Sequence, residues 1–157
     1  MNDSTLQITE DALDAMLAHF QHELPREACG FLAGRGKTAF RFYPIHNINL
    51  DCRRFLMDPL HVQKTETSIL RREQKILGVC HSHPEGECYP SKWDIEGAFF
   101  DAQFEMPLWT REVQVIALLE DRENPIVRGF RIEKGGRVTE ADLEIVPAHV
   151  GKISTCP

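Results

Sequence analysis

Ile76-Leu77-Gly78-Val79-Cys80-His81-Ser82-His83-Pro84, with Ser91-Lys92-Trp93-Asp94 a little further on, decides how this chain folds and what it can hold. Residues Ile76 to His81 are apolar up to the histidine and predict a buried strand. Side chains at i and i+2 of a strand share a face, so His81 and His83 can reach one ion together. Ser91 opens a helix with Asp94 in its first turn, which brings a carboxylate back toward the strand end. Two imidazole nitrogens and one carboxylate oxygen are the donors of a catalytic zinc site that keeps its fourth position open. Nickel, cobalt or iron would satisfy the same donors. Helix capping alone explains Ser91 and Asp94, since the serine caps and the acid at N3 bonds back. It does not explain two histidines closing an apolar strand beside the Gly- and Pro-rich loop Pro84 to Pro90.

Outward from this stretch, helices alternate with strands. Leu13, Met16, Leu17 and Phe20 fall at helical spacing after Thr9, and Pro25 ends that helix. Ala28 to Ala33 reads as a short buried strand closed by Gly34-Arg35-Gly36, and Thr38 to Ile45 as a second. Arg54 to Met57 looks extended. Asp58-Pro59 is a helix start, a capping carboxylate followed by proline at N1, and that helix is expected to run to Gln74. The helix opened by Ser91 should include Ile95, Ala98, Phe99 and Ala102. Val113 to Leu119 and Ile126 to Ile132 then read as strands, and Gly135-Gly136 turns into a last extended piece, Arg137 to Val146. Helices followed by a run of strands imply an α/β class with a mixed sheet. With no repeat or linker, one domain is expected over residues 1–157, its core at about 8–146 and a tail at 147–157.

The 157 residues are 42% hydrophobic with a net charge of −6, enough for a core and contrary to a nucleic-acid footprint. No apolar run reaches the roughly 20 residues of a membrane span. The polar start Met1-Asn2-Asp3-Ser4-Thr5 lacks a secretion signal. The five cysteines have no repeating spacing; reduced thiols in a cytoplasmic protein are expected. Cys29 and Cys80 are expected as small core residues.

Glu27-Ala28-Cys29-Gly30, His81-Ser82-His83-Pro84 and Ser91-Lys92-Trp93-Asp94 together resemble the JAMM motif of MPN+ zinc metalloproteases. The segments Arg54 to Pro59 and Ile126 to Ile132 look like the corresponding parts of small stand-alone prokaryotic members. The resemblance covers roughly residues 10 to 146. It implies a single MPN domain with a mixed β-sheet flanked by helices, a cytidine-deaminase-like architecture. It implies one zinc ion per chain on His81, His83 and Asp94, with Glu27 as general base and later proton donor to the leaving amine. Ser91 would donate to the oxyanion of the tetrahedral intermediate. Such members hydrolyse the bond after the C-terminal Gly-Gly of a ubiquitin-like or sulfur-carrier protein, maturing the carrier or releasing an attached amino acid. The partner would then be such a protein, its tail lying along a sheet edge beside the metal, with a homodimer left open.

Two other readings stand beside this one: a metal-free scaffold of the same fold, and a cupin-like metal enzyme using His81, His83 and Glu87. Cys88, in the loop between the ligands, could offer a thiolate to the open metal position. Residues Pro107 to Arg111, with Trp109, form a candidate substrate-facing insertion. His19, His22, His46, His61 and His149 carry no assigned role.

Overall fold

The computed structural model describes residues 5–148. His149, Cys156 and the rest of the expected tail beyond residue 148 lie outside the described residues. The strands are β1 (Leu6–Thr9), β2 (Cys29–Arg35), β3 (Thr38–Ile45), β4 (Lys75–His83), β5 (Val113–Leu118), β6 (Ile126–Glu133), β7 (Arg137–Ala141) and β8 (Leu143–Val146). The helices are α1 (Glu10–His22), α2 (Pro59–Arg71) and α3 (Lys92–Gly97). One eight-stranded sheet runs in the order β7-β6-β5-β4-β2-β3-β1-β8. It is mixed, as expected: β4 and β5 are parallel, as is β1 with both β3 and β8, and the other pairs are antiparallel.

The last extended piece is two strands, not one. Asp142 alone separates β7 from β8, yet Ala141 pairs with Gly129 of β6 and Leu143 with Leu6 of β1. The sheet therefore curls until its two edges share one continuous run of chain. Gly129 permits the approach, because a Cβ there would stand 2.8 Å from Leu143 Cδ2 and 3.0 Å from Val113 Cγ1.

The two faces of β2 and β4 are both buried, which is why they read as continuous apolar runs. On one face α1 lays Ala12, Met16 and Phe20 against Leu32, Cys80 and Val115. On the other, Ile69 of α2 packs with Cys29, Phe31 and Val79. Asp58 caps α2 as expected, accepting from the N–H groups of Leu60 and His61 at 3.0 and 3.5 Å.

Two helix ends and one strand depart most from the sequence expectation, and β4 extends through His83 instead of ending at His81. Helix α2 stops at Arg71, three residues before Gln74, because Glu73 takes a left-handed conformation (φ 55°) that closes the helix. Helix α3 stops at Gly97. Ala98 and Phe99 leave helical geometry to pack with Ile132, and Phe99 pairs with Pro107. Strand β1 had no signal, being four residues long; it pairs in parallel with β3 and β8 and buries Leu6 and Ile8 in the core.

Candidate metal centre

Strand register builds the site. Cys29 lies opposite His81 in the antiparallel pair of β2 and β4, and the Ser82 N–H donates to the Ala28 carbonyl at 3.0 Å. The Ala28 N–H in turn donates to Ser82 Oγ at 2.9 Å. The same register sets Glu27 across from His83. Alternation then places Phe31, Cys29 and Glu27 on one face with Val79, His81 and His83. That face is apolar beneath α2 and changes to carboxylate and imidazole only at its end.

His81, His83 and Asp94 converge there. His81 Nε2 and His83 Nε2 are 3.0 Å apart, and each is 3.1 Å from Asp94 Oδ2. Donors around a tetrahedral zinc with bonds of about 2.0–2.1 Å would stand about 3.3 Å apart, close to this triangle. The tautomer of His83 is fixed by its surroundings, because Nδ1–H donates to the Glu87 carbonyl at 2.7 Å. Its Nε2 therefore turns a lone pair toward a carboxylate oxygen, an arrangement that requires a cation in the gap, either a proton or a metal. A buried backbone partner on the far nitrogen is how metal-binding imidazoles are oriented.

The electrostatics agree. Burial opposes ionisation of Asp94, but the charge of His81, hydrogen bonds from both imidazoles and the Ser91 N–H overcome it, holding the carboxyl far below its usual range. Burial also opposes the charged form of His83; hydrogen bonds to Asp94 and the Glu87 carbonyl, with the charges of Asp94 and Glu27, raise its pKa nevertheless. Glu27 is 7% exposed, and its Oε2 has no hydrogen-bond partner among the described residues. Burial pushes this carboxyl up to about 8, with His83 drawing it down and Asp94 and Asp51 adding to the rise.

These shifts set a pH dependence for the metal-free protein. A raised carboxyl contributes stability that is full below about 4.5 and lost as pH rises through about 8. The raised His83 acts in the same direction, its contribution present below 6.5 and lost through its higher folded value. In chelator, melting should therefore fall by roughly 5 °C or more between pH 5.5 and pH 9. Glu27→Gln should flatten that slope, and an equal slope in both proteins would contradict the burial of Glu27 as an acid.

Ser91 forms a capping box: its Oγ accepts from the Asp94 N–H at 3.2 Å, and Asp94 Oδ2 accepts from the Ser91 N–H at 2.7 Å. The hydroxyl proton is not used by this cap. Asp94 Oδ2 thus serves the helix end and the imidazole pair at once, so the capping explanation and the metal explanation describe one geometry.

Two clefts meet at the triad. One, of about 520 Å³, is walled by Phe55, Leu56, Trp93 and Leu108 with His81 and Asp94 at its inner side. The other, of about 530 Å³, holds Glu27, Cys52, His83, Tyr89 and Ser91. Across the first, the Arg54 guanidinium lies 3.3 Å over the Trp93 ring. Trp109 sits partly in the wall and partly in the core, edge-on to Phe31 at 5.6 Å. Both histidines lie on β4, which is paired with β2 as far as His81 and with β5 as far as His83.

Several expectations need correction. Cys88 is 7% exposed and packs with Ile116, Leu118 and Phe130. Its thiol donates to the Ile116 carbonyl at 3.4 Å, so it turns into the core and away from the donor triangle of His81, His83 and Asp94. Glu87 offers His83 its backbone carbonyl, whereas the carboxylate beside both imidazoles is that of Asp94, contrary to a cupin-like set. Cys29 and Cys80 are buried as expected, and Cys52 is exposed. Alkylation of the folded protein should label Cys52 and leave Cys29, Cys80 and Cys88 unmodified by peptide mass mapping; prompt labelling of Cys88 would contradict its placement.

Asn47 and Phe55 escaped the sequence reading. Asn47 drew no comment there, and Phe55 fell only within the extended piece and the Arg54 to Pro59 segment. Phe55 lies flat on His81, with ring centroids 4.5 Å apart and planes at 27°.

Comparison with known proteins gives the family of the chain. The model of a family described as prokaryotic homologues of the JAB domain matches residues 9–125. A probable TtuB-protein conjugate cleaving protease of Thermus thermophilus is 33% identical over 94 residues, 59% of this chain and 63% of its own length. A desampylase of Haloferax volcanii is 31% identical over 62% of this chain and 76% of its own. A CysO-cysteine peptidase of Mycobacterium tuberculosis is 28% identical over 92% of this chain and 93% of its own. A solution structure from Desulfitobacterium hafniense superposes with TM-score 0.78 at 30% identity, covering 92% of this chain and 95% of that one. A JAB1/MPN domain protein from Archaeoglobus fulgidus shares the fold, with TM-score 0.54 at 20% identity over 91% of this chain and 98% of that one. With a matching region that spans β4, the loop after it and the capped helix α3 alike, this chain belongs to the prokaryotic homologues of the JAB domain.

Proposed function

We propose that this chain is a single-domain, zinc-dependent hydrolase of the isopeptidase type. Its substrate would be a peptide or isopeptide bond after the C-terminal Gly-Gly of a ubiquitin-like or sulfur-carrier protein. The carrying observation is the donor triangle of His81, His83 and Asp94, with the His83 tautomer fixed by the Glu87 carbonyl. The names of the Thermus, Haloferax and Mycobacterium relatives, which specify conjugate or carrier cleavage, support the substrate class.

His81 and His83 would hold zinc through Nε2 and Asp94 through Oδ2. Bound there, zinc would supply a Lewis acid that acidifies water and polarises a carbonyl. Glu27 shares a cleft with His83 and Ser91 and would take the proton from the attacking water. Its burial makes it a stronger base than an ordinary carboxylate, and the same group would return the proton to the leaving amine. The free hydroxyl proton of Ser91 would donate to the developing oxyanion, a role worth a few kcal/mol in comparable sites. The substrate would run from one cleft to the other across the triad. Glycines next to the scissile bond would carry no side chain to collide with the walls at that divide.

The direct test incubates the purified protein with a Gly-Gly-terminated carrier bearing a C-terminal extension, with and without chelator. Mass spectrometry should show release immediately after the diglycine, abolished by chelator and restored by zinc. Cleavage unaffected by chelator, or none in zinc-loaded protein against any such carrier, would refute the proposal. Among the described residues no helix is long and apolar enough to cross a membrane.

A further inference from the structure

We infer that Asn47 is a positioning residue that sets the base Glu27 and the ligand His81 in one frame, acting on His81 through Phe55. The inference rests on the functional reading above and adds residues that the resemblance did not assign. The two imidazoles are held differently. His83 is anchored by a hydrogen bond from Nδ1, whereas Nδ1 of His81 is buried with no partner among the described residues. His81 is 1% exposed, and the face of Phe55 supplies the flat surface that fixes its tilt.

Phe55 belongs to no helix or strand, so something must hold it. Its neighbours on both sides bond to one side chain: Asn47 Nδ2 donates to the Arg54 carbonyl at 3.1 Å, and Asn47 Oδ1 accepts from the Leu56 N–H at 3.0 Å. The same Nδ2 donates to the carbonyl of Glu27 at 2.8 Å, and Oδ1 accepts from the Asn49 N–H at 2.9 Å. Both donor positions and both acceptor positions of the amide are therefore occupied. A single side chain ties the backbone of the base to the loop that presses on a ligand ring. A displacement of that amide would move both groups relative to the carbonyl under attack, and small misplacements of this kind cost catalysis rather than binding.

Four variants test the inference: Asn47→Ala, Asn47→Asp, Phe55→Leu and Phe55→Tyr. Asn47→Asp keeps both acceptor bonds and removes the donors to Glu27 and Arg54; Phe55→Leu keeps an apolar group and removes the ring. For each, zinc affinity is measured by chelator competition, the visible spectrum of the cobalt-loaded protein is recorded, and kcat and KM are determined on the carrier extension. Phe55→Leu should weaken zinc about tenfold and alter the cobalt bands, with Phe55→Tyr restoring both. Asn47→Asp and Asn47→Ala should lower kcat by about 10–100-fold with KM within about threefold.

The inference is overturned if Phe55→Leu leaves zinc affinity and cobalt bands within twofold of wild type, or if Asn47→Asp retains kcat. Should Asn47→Ala fail to fold, Asn47→Asp and Phe55→Leu decide the matter. Wild-type protein that neither binds zinc nor cleaves would overturn the functional reading instead, a result distinct from active wild type with equally active variants.

Discussion

Glu27→Gln is expected to keep zinc bound while lowering kcat by about 10²–10⁴-fold, the range for loss of a general acid–base group. The amide matches the carboxylate in volume but cannot accept a proton. Glu27 lies outside the donor triangle, so metal affinity should stay within a few-fold of wild type. The carboxyl is buried, and its Oε2 is without a partner among the described residues. Removing its charge therefore breaks no side-chain hydrogen bond described there, and melting in chelator at alkaline pH should rise. Near-normal turnover in Glu27→Gln would remove this residue from the mechanism and leave the metal proposal intact.

His81→Ala and Asp94→Ala are expected to lose zinc itself, and with it all detectable hydrolysis. Each supplies one of three donors within 3.1 Å of the others, and two donors would leave zinc without a closed set of protein ligands. The two variants should differ in stability without metal. Asp94 also bonds to the Ser91 N–H at the start of α3, so its loss should remove half of the capping box. His81→Ala leaves that cap untouched. Glu87→Ala should retain zinc, because its contact with His83 is made by the backbone carbonyl. Metal loss from Glu87→Ala, with retention in Asp94→Ala, would revive the cupin-like set.

Much of this was legible because strand periodicity and motif spacing act locally. An apolar run ending in His-x-His needs only a period of two to bring both rings to one face. Ser91 followed by Asp94 needs only one helical turn to return the carboxylate. The long-range parts were less readable. The pairing of β8 with β1 depends on the curl of the whole sheet, which one strand's pattern does not encode. The inward turn of Cys88 depends on carbonyls of Ile116 and Ile126, far away in sequence. Asn47 gave no signal because its four side-chain partners are backbone groups, and any sequence supplies those. The short α3 shows tertiary packing overriding local pattern: Ala98 and Phe99 fit helical spacing, yet they bury against Ile132 by leaving the helix.

The most direct measurement is diffraction from zinc-soaked crystals on both sides of the zinc absorption edge. One anomalous peak per chain is expected inside the triangle, about 2.0–2.1 Å from His81 Nε2, His83 Nε2 and Asp94 Oδ2. A map with no peak there, or with the ion held by other residues, would contradict the account.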